Sequence, residues 1–364
     1  MKTIHLYASL GNRKKTAAGG GQTSARRLVE VLVGMGYDVQ IVNRMVPPYT
    51  SESLGMKLYK YIGYFIDPFR WYFHLIRSER KGAVTLSIIY GGKLFPFYFL
   101  FVKISKWLNF KSIIYLKGAF TKEKYASLSS RLKESFRAGM SYSDVALFEG
   151  LDGEEIAKQI LPEKRFVWLP NYIENDFMPK LVADKPTDTI NMMYFGRIDP
   201  GKNVLMIIDI FDTLCKKYEN LRLSLIGSGD SNYTTLVEER INRSVNKDKI
   251  LKRPRIEHNE LKNFLPRQHY FIFPTESEGH SNALTEAMAY GVVPIASRKG
   301  FNAVVVGNDR IIVDEMKVDC YVETIIDIME SGITKSLSNE MHDRVQKKFS
   351  QSIIENKLKE AIEN

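Results

Sequence analysis

Two cysteines in 364 residues, Cys215 and Cys320, stand far apart and outside any metal-ligand spacing. So sparse a supply argues against a disulfide framework or a zinc site and fits a reducing compartment. Long hydrophobic runs are missing as well. No stretch reaches the roughly 18–20 uncharged apolar residues that a membrane span needs. The most apolar, Leu94 to Val102, stops at Lys103. Short internal repeats and low-complexity tracts are also absent. The opening MKTIHLYASLGNRKK places a basic cluster after a short apolar run. A secretory leader has the reverse order, so a cytoplasmic protein is expected.

What is present in excess is positive charge, and it is lopsided. The net charge is +10, and residues 1–175 hold 26 Lys and Arg against 14 Asp and Glu. The remainder carries 26 against 28, so the first half supplies the whole excess. Such a field suits nucleic acid, an anionic membrane or an acidic ligand. No RNP, helix-turn-helix or zinc pattern supports nucleic acid, and none is expected as a partner. Residues 58–110 interleave Lys and Arg with Trp, Tyr and Phe, as in LYKYIGYFIDPFRWYFHLIR and KLFPFYFLFVKISKWLNFK. That composition suits a surface in a lipid headgroup region, with contact expected through residues 57–137. The other reading of the same stretches is core helices of a large domain.

Apolar β-rich runs alternate with helical patterns along the chain. TIHLYAS leads into the glycine-bearing loop GNRKKTAAGGGQ, and Leu28, Val31, Leu32 and Met35 then recur at helix spacing up to Gly36. VQIVN follows as a strand, completing a βαβ unit, the building block of a parallel sheet. Further strands are expected at AVTLSIIY, SIIYLKG, DVALFE and RFVWLPN. Near residues 172–188 the polar, proline-bearing YIENDFMPKLVADKPTDT reads as a linker or crossover. The alternation then resumes with NMMYFG, LRLSLIG, KILKRPRI, HYFIFPT, VVPIAS and RIIVD. The fold class is α/β, with two Rossmann-like domains. One spans residues 1–172 and the other 173–344, and a C-terminal helix over 345–364 is expected to pack back on the first.

Ligands of open parallel sheets sit beyond the carboxyl ends of the strands, so the loops there hold the candidates. GRIDPGKN offers Arg197 and Lys202 across a turn, with Gly196 and Gly201 for backbone freedom. A guanidinium fork and a mobile ammonium on one loop match a diphosphate, although a solvated basic turn has the same pattern. GSGD, at Gly227 to Asp230, is another strand-end glycine loop. PTESEGHSNALTEAMAYG places Glu278 in a loop and Glu286 in the first turns of a helix capped by Ser281 or Asn282. A carboxylate near a helix N-terminus gains roughly 0.3–1 kcal/mol from the helix dipole, which is the plain account of Glu286.

Taken together, GRIDPGKN, GSGD and ESEGHSNALTEAMAYGVVPIAS resemble the second domain of GT-B fold glycosyltransferases, specifically retaining family 4. Members carry two glutamates separated by seven residues, the spacing of Glu278 and Glu286. The resemblance is good over residues 190–300 and weaker in the first half, where GGGQTSARRLVEVLVGMGYDV and WLPNYIE follow the family. It implies GT-B architecture, with the two domains facing each other across a cleft. It also implies transfer of a sugar from a nucleotide-diphosphate donor to a glycan or lipid-linked acceptor, with retained configuration. Neither cofactor nor metal is implied, and no Asp-x-Asp pair is present to hold a divalent ion.

Residue by residue, the resemblance assigns the diphosphate to Arg197 and Lys202, the transferred sugar to Glu278 and the ribose hydroxyls to Glu286. Gly279, His280, Ser281 and Asn282 would offer backbone N–H groups, with Ala283 and Leu284 next to them. Gly196, Gly229, Arg255 and Ile256 would border the nucleotide, and Gly19, Gly20 and Gly21 would close on the diphosphate. At the family's usual histidine position the chain has YLKGAF, which puts Lys117 and Gly118 on the acceptor side. Within the same fold, a nucleotide-sugar epimerase or hydrolase, or a non-catalytic nucleotide-sugar-binding protein within a larger complex, is the alternative. The expected location is the inner face of the cell membrane.

Overall fold

A computed structural model of the chain describes residues 2–12, 20–45, 54–91, 94–118 and 120–364. The expected donor contact of Gly19 lies outside them. The chain divides into two compact units, one of Met1–Asn171 with Ser352–Asn364 and one of Tyr172–Gln351.

The first unit alternates strand and helix from its start. β1 (Thr3–Ala8), α1 (Gly20–Gly34), β2 (Asp38–Asn43) and α2 (Leu54–Ile76) come first. β3 (Val84–Tyr90), α3 (Phe95–Trp107), β4 (Lys111–Lys117), α4 (Lys122–Ala126) and α5 (Ser130–Tyr142) follow, then β5 (Val145–Phe148), α6 (Leu151–Ile160) and β6 (Arg165–Trp168). The strands form a parallel sheet in the order β2-β1-β3-β4-β5-β6. Leu6 pairs with Ile41 on one side and Leu86 on the other, which fixes the register at the centre. The β-branched runs TLSIIY and SIIYLK are buried nearly throughout, as expected for strands covered on both faces.

α3 settles one of the two readings of the aromatic region. Phe95, Tyr98, Phe99, Phe101 and Val102 are buried, and Gly139 of α5 gives Phe99 the room a side chain would take. This helix is core. Trp71 of α2 is also fully buried, and its Nε1 donates to the Phe101 carbonyl at 3.2 Å and to Ser105 Oγ at 3.1 Å. The outward side of α2 is a different matter, taken up below.

The second unit carries β7 (Ile190–Phe195), α7 (Val204–Leu214), β8 (Leu221–Ile226), α8 (Ser231–Arg243), β9 (Ile250–Arg253), α9 (His258–Phe264) and β10 (Tyr270–Phe273). α10 (Asn282–Ala289), β11 (Val293–Ser297), α11 (Asn302–Val306), β12 (Ile312–Val313), α12 (Val318–Glu330) and α13 (Thr334–Lys348) complete it. Its parallel sheet runs β12-β11-β10-β7-β8-β9. The strand order reverses between β7 and β10, so the loops leaving these two neighbours diverge and open a crevice at the carboxyl edge. Those loops are GRIDPGKN and PTESEGHS.

The stretch read as a polar linker is irregular but pinned. Tyr172, Ile173 and Phe177 are buried, and Ile173 bonds through its N–H to the Phe349 carbonyl. The last helix, α14 (Gln351–Glu363), packs its Ile354, Leu358 and Ile362 inward. The Ile362 carbonyl at its end accepts from Lys2 and Lys111 of the first unit.

Candidate functional site

In the second unit the loops after β7 and β10 are stitched into one platform. Asn203, in the left-handed region with φ 52°, donates from Nδ2 to the Pro274 carbonyl at 2.9 Å. The Gly201 carbonyl accepts from the Glu276 N–H at 3.0 Å and from Thr275 Oγ1 at 3.3 Å. Glu276 thus serves through its backbone, outside the pair that the resemblance singles out. On this platform Lys202 forms an ion pair with Glu278, both side chains largely buried. Arg197 is mostly exposed and reaches Asp199 at 3.4 Å. Its carbonyl takes the Tyr194 hydroxyl at 2.6 Å, and burial drives that phenol's pKa well above its ordinary value.

The loop after β8 is zipped to the same platform. Ile198 and Gly229 form an isolated parallel bridge, and the Asp230 N–H donates to the Ile198 carbonyl. A Cβ on Gly229 would lie 2.1 Å from that carbonyl oxygen, and one on Gly227 would lie 1.9 Å from the Gly196 oxygen. These glycines are required by backbone approach rather than by a turn. The Arg255 N–H bonds to Ser228 Oγ, which brings the segment after β9, with Ile256, to the same edge.

α10 starts at the other side of the platform. Ser281 is its N-cap, with Oγ accepting from the Leu284 N–H. Leu284 itself is fully buried. The His280 imidazole is buried, bonded to Thr285 Oγ1 at 2.7 Å and edge-on to Phe349. It holds the loop's shape. Gly279, Asn282 and Ala283 stay partly accessible around the cap.

Glu286 is buried on α10 and faces His258, whose Nδ1 lies 3.7 Å from its carboxylate. The other nitrogen of that ring lies 3.4 Å from Glu174, and the ring stacks on Phe177 at 4.1 Å. Sequence reasoning missed His258 because its partners are remote in the chain. It also missed Gly300, whose φ is +61° and whose Cβ would sit 2.0 Å from the Glu278 carbonyl oxygen.

In the first unit, Gly20 and Gly21 begin α1 instead of lying in the expected loop. The absence of a side chain at Gly21 accommodates Tyr90, whose hydroxyl would lie 3.3 Å from a Cβ there. Lys117 ends β4 fully buried, donating to Ser24 Oγ, to Asn171 Oδ1 at 3.0 Å and to the Tyr115 hydroxyl at 3.2 Å. Burial lowers its pKa, while Glu149 at 3.8 Å acts in the opposite direction. Its three donors are spent inside the unit, on Ser24, Tyr115 and Asn171, where the sequence reading expects an acceptor-side position. Gly118, at φ +88°, donates its N–H to the same Glu149.

Comparison with known proteins bears on this platform directly. Residues 180–348 match the model of the family "Glycosyl transferases group 1". The chain is 24% identical over 189 residues to a phosphatidylinositol N-acetylglucosaminyltransferase component of Arabidopsis thaliana, covering 52% of the chain and 41% of that protein. It is 26% identical over 171 residues to CapM, a capsular polysaccharide biosynthesis glycosyltransferase of Staphylococcus aureus, covering 46% of the chain and 44% of that protein. The matches thus span less than half the length of these curated relatives. Among solved structures, sucrose-phosphate synthase of Thermosynechococcus elongatus superposes with a TM-score of 0.73 at 15% identity, covering 99% of this chain and 98% of that one. That likeness establishes the fold, GT-B. Residues 180–348, with Arg197, Lys202, Glu278 and Glu286 among them, belong to the glycosyl transferases group 1 family.

Proposed function

We propose that the protein is a glycosyltransferase that moves a sugar from a nucleotide-diphosphate sugar to a lipid-linked or cell-envelope glycan acceptor, retaining the anomeric configuration and using no metal. The observation that carries this reading is the platform at the switch point between β7 and β10. It sets Lys202 against Glu278 and holds Arg197 on the same loop, with Glu286 midway along the adjoining helix α10.

A nucleoside diphosphate leaves readily once its developing charge is matched, so the protein's task is electrostatic. Lys202 and Arg197 supply the cations. Glu278 accepts hydrogen bonds from the sugar's hydroxyls, and Glu286 holds the ribose diol with both oxygens. The Arabidopsis relative's name places its acceptor in a phospholipid and that of CapM in a capsule, and the basic first half of this chain fits an anionic membrane. No helix among the described residues is long and apolar enough to cross a membrane. The proposed location is peripheral, at the cytoplasmic leaflet.

Thermal unfolding with UDP, GDP, ADP and their sugars tests the reading. A ligand at a hundredfold excess over its dissociation constant stabilises by about 2.7 kcal/mol. One of these series is expected to raise the unfolding temperature. No shift with any of them overturns the proposal.

A further inference from the structure

α2 of the first unit wears its apolar face outward. Leu58, Ile62, Phe65, Phe69 and Phe73 recur at helical spacing and are exposed, Phe65 at 73%. The opposite stripe, with Gly63, Asp67, Trp71 and Leu75, is the buried one. Asp67 is the only carboxylate in the helix and is fully buried. It accepts from the Tyr7 hydroxyl at 3.0 Å, the Met45 N–H at 3.1 Å and Arg70 at 2.5 Å. The described outward surface of α2 and of the turn after it therefore carries aromatics with Arg70 and Arg77 beside them.

Along one flank of this stripe runs a shallow groove of about 760 Å³. Ile66, Phe69, Arg70, Phe73, His74 and Arg77 line it, with Gln40 of the sheet-edge strand β2 opposite. Arg70 is braced by Asp67 and by the Asn43 carbonyl at 3.1 Å, and Arg77 lies over the Phe73 ring at 5.9 Å. On the other flank Tyr72 stacks on Trp107, which is 71% exposed.

We propose that α2 lies in the plane of an anionic phospholipid bilayer. Phe65, Phe69 and Phe73 enter the acyl boundary, and one lipid phosphate sits in the groove between Arg70 and Arg77. The inference rests on the membrane-surface reading above and narrows it from residues 57–137 to one helix face and one headgroup seat. Aromatic rings beside cations are the composition of a membrane interface, and an apolar face this contiguous is costly to leave in water. A second copy of the chain is a poor occupant. A two-fold contact through this face would set Arg70 and Arg77 near their like-charged counterparts, with the Asp67 carboxylate already taken by Arg70.

The test is co-sedimentation of the full chain with phosphatidylcholine vesicles, with and without phosphatidylglycerol, while the change in tryptophan emission between the parent and Trp107→Phe is followed. Binding is expected to be about tenfold tighter with phosphatidylglycerol, to weaken with salt and to shift the emission to shorter wavelength. Phe65→Ser with Phe69→Ser should abolish binding, and Arg77→Gln should remove most of the anionic preference. Both sets of residues are outside the core, and a nucleotide-induced thermal shift recorded on the same preparations reports the second unit separately. Equal binding to both vesicle types, or a double serine variant that binds like the parent, overturns the inference. So does a lipid-free dimer that the double variant dissolves, which would make a second copy the occupant. A parent chain that shows the nucleotide shift but does not bind vesicles sinks this inference alone. Vesicle binding without any nucleotide shift sinks the transferase reading instead.

Discussion

Lys202 and Glu278, 76 positions apart, form an ion pair on the platform of the second unit. The lysine proposed for the diphosphate and the carboxylate proposed for the sugar are thus each other's partner. Under the proposed function an entering diphosphate draws Lys202 from Glu278, freeing the carboxylate for the sugar hydroxyls. Glu278→Gln removes the competing charge. The variant should bind the bare nucleoside diphosphate several-fold to about tenfold more tightly, a gain of up to about 1.4 kcal/mol. Transfer should fall by about a hundredfold or more in the same variant. Calorimetric titration and a turnover assay on one preparation check both halves.

Gly229 and Gly300 hold the platform from either side by leaving out a side chain. Alanine at Gly229 would set a Cβ 2.1 Å from the Ile198 carbonyl oxygen, and at Gly300 2.0 Å from that of Glu278. Each substitution should cost about 1–3 kcal/mol of stability. Each should also weaken nucleotide binding beyond that loss, because the displaced backbone carries Arg197 or Glu278. Denaturant melts with and without nucleotide separate the two effects. An unchanged affinity in both variants would show that the loops do not form the donor site.

His258 stands between Glu174 and Glu286 with Phe177 against its ring. By orienting the Glu286 carboxylate it should sharpen recognition of the ribose diol. His258→Ala is expected to weaken a ribonucleotide about tenfold and its 2′-deoxy counterpart much less. Equal losses for the two sugars would assign His258 to general packing. Competition binding with the paired nucleotides supplies the comparison.

In the first unit, Lys117 and Glu149 form a buried pair inside a network with Ser24, Tyr115 and Asn171. Removing the lysine alone strands a carboxylate, so Lys117→Met should cost about 3–5 kcal/mol. Adding Glu149→Gln should recover much of it, since the amide still accepts from Gly118. Chemical denaturation of the two variants measures the difference.

His5 gives the same unit a pH dependence. Burial and the neighbouring His74, 3.0 Å away, lower its pKa from 6.5 to about 4, against a smaller opposing effect of Asp38. The unfolded chain therefore takes up this proton first as pH falls. Stability from this site is complete above about pH 6.5 and is lost between there and about pH 4, to a total of up to about 3 kcal/mol. His5→Asn, which does not titrate, should flatten that part of the melting profile. An unchanged slope would rule the site out as its source.

The strands were legible because runs such as TLSIIY and SIIYLK are β-branched, apolar and bounded by turn signals. The platform was legible through the paired glutamates and the glycines of GRIDPGKN and GSGD. What stayed hidden depends on contacts between distant segments. Nothing near Gly300 announces that it abuts Glu278, and His258 meets Glu174 and Glu286 only once α9 and α10 are packed. Lys117 reads as a strand-end cation until Ser24 and Asn171 close over it. The periodicity of α2 shows an amphipathic helix, but which stripe faces outward is decided by what fills the other side. Trp71 and the Asp67 network fill it, and the phenylalanines are left outside.

The most direct measurement of the central claim is titration of the stabilising nucleoside diphosphate and its monophosphate into the parent protein and Lys202→Ala. The account predicts that the parent prefers the diphosphate by about tenfold or more and that the variant loses most of that preference while still binding the monophosphate. A parent protein that holds the two alike, or a variant that keeps the full preference, would contradict it.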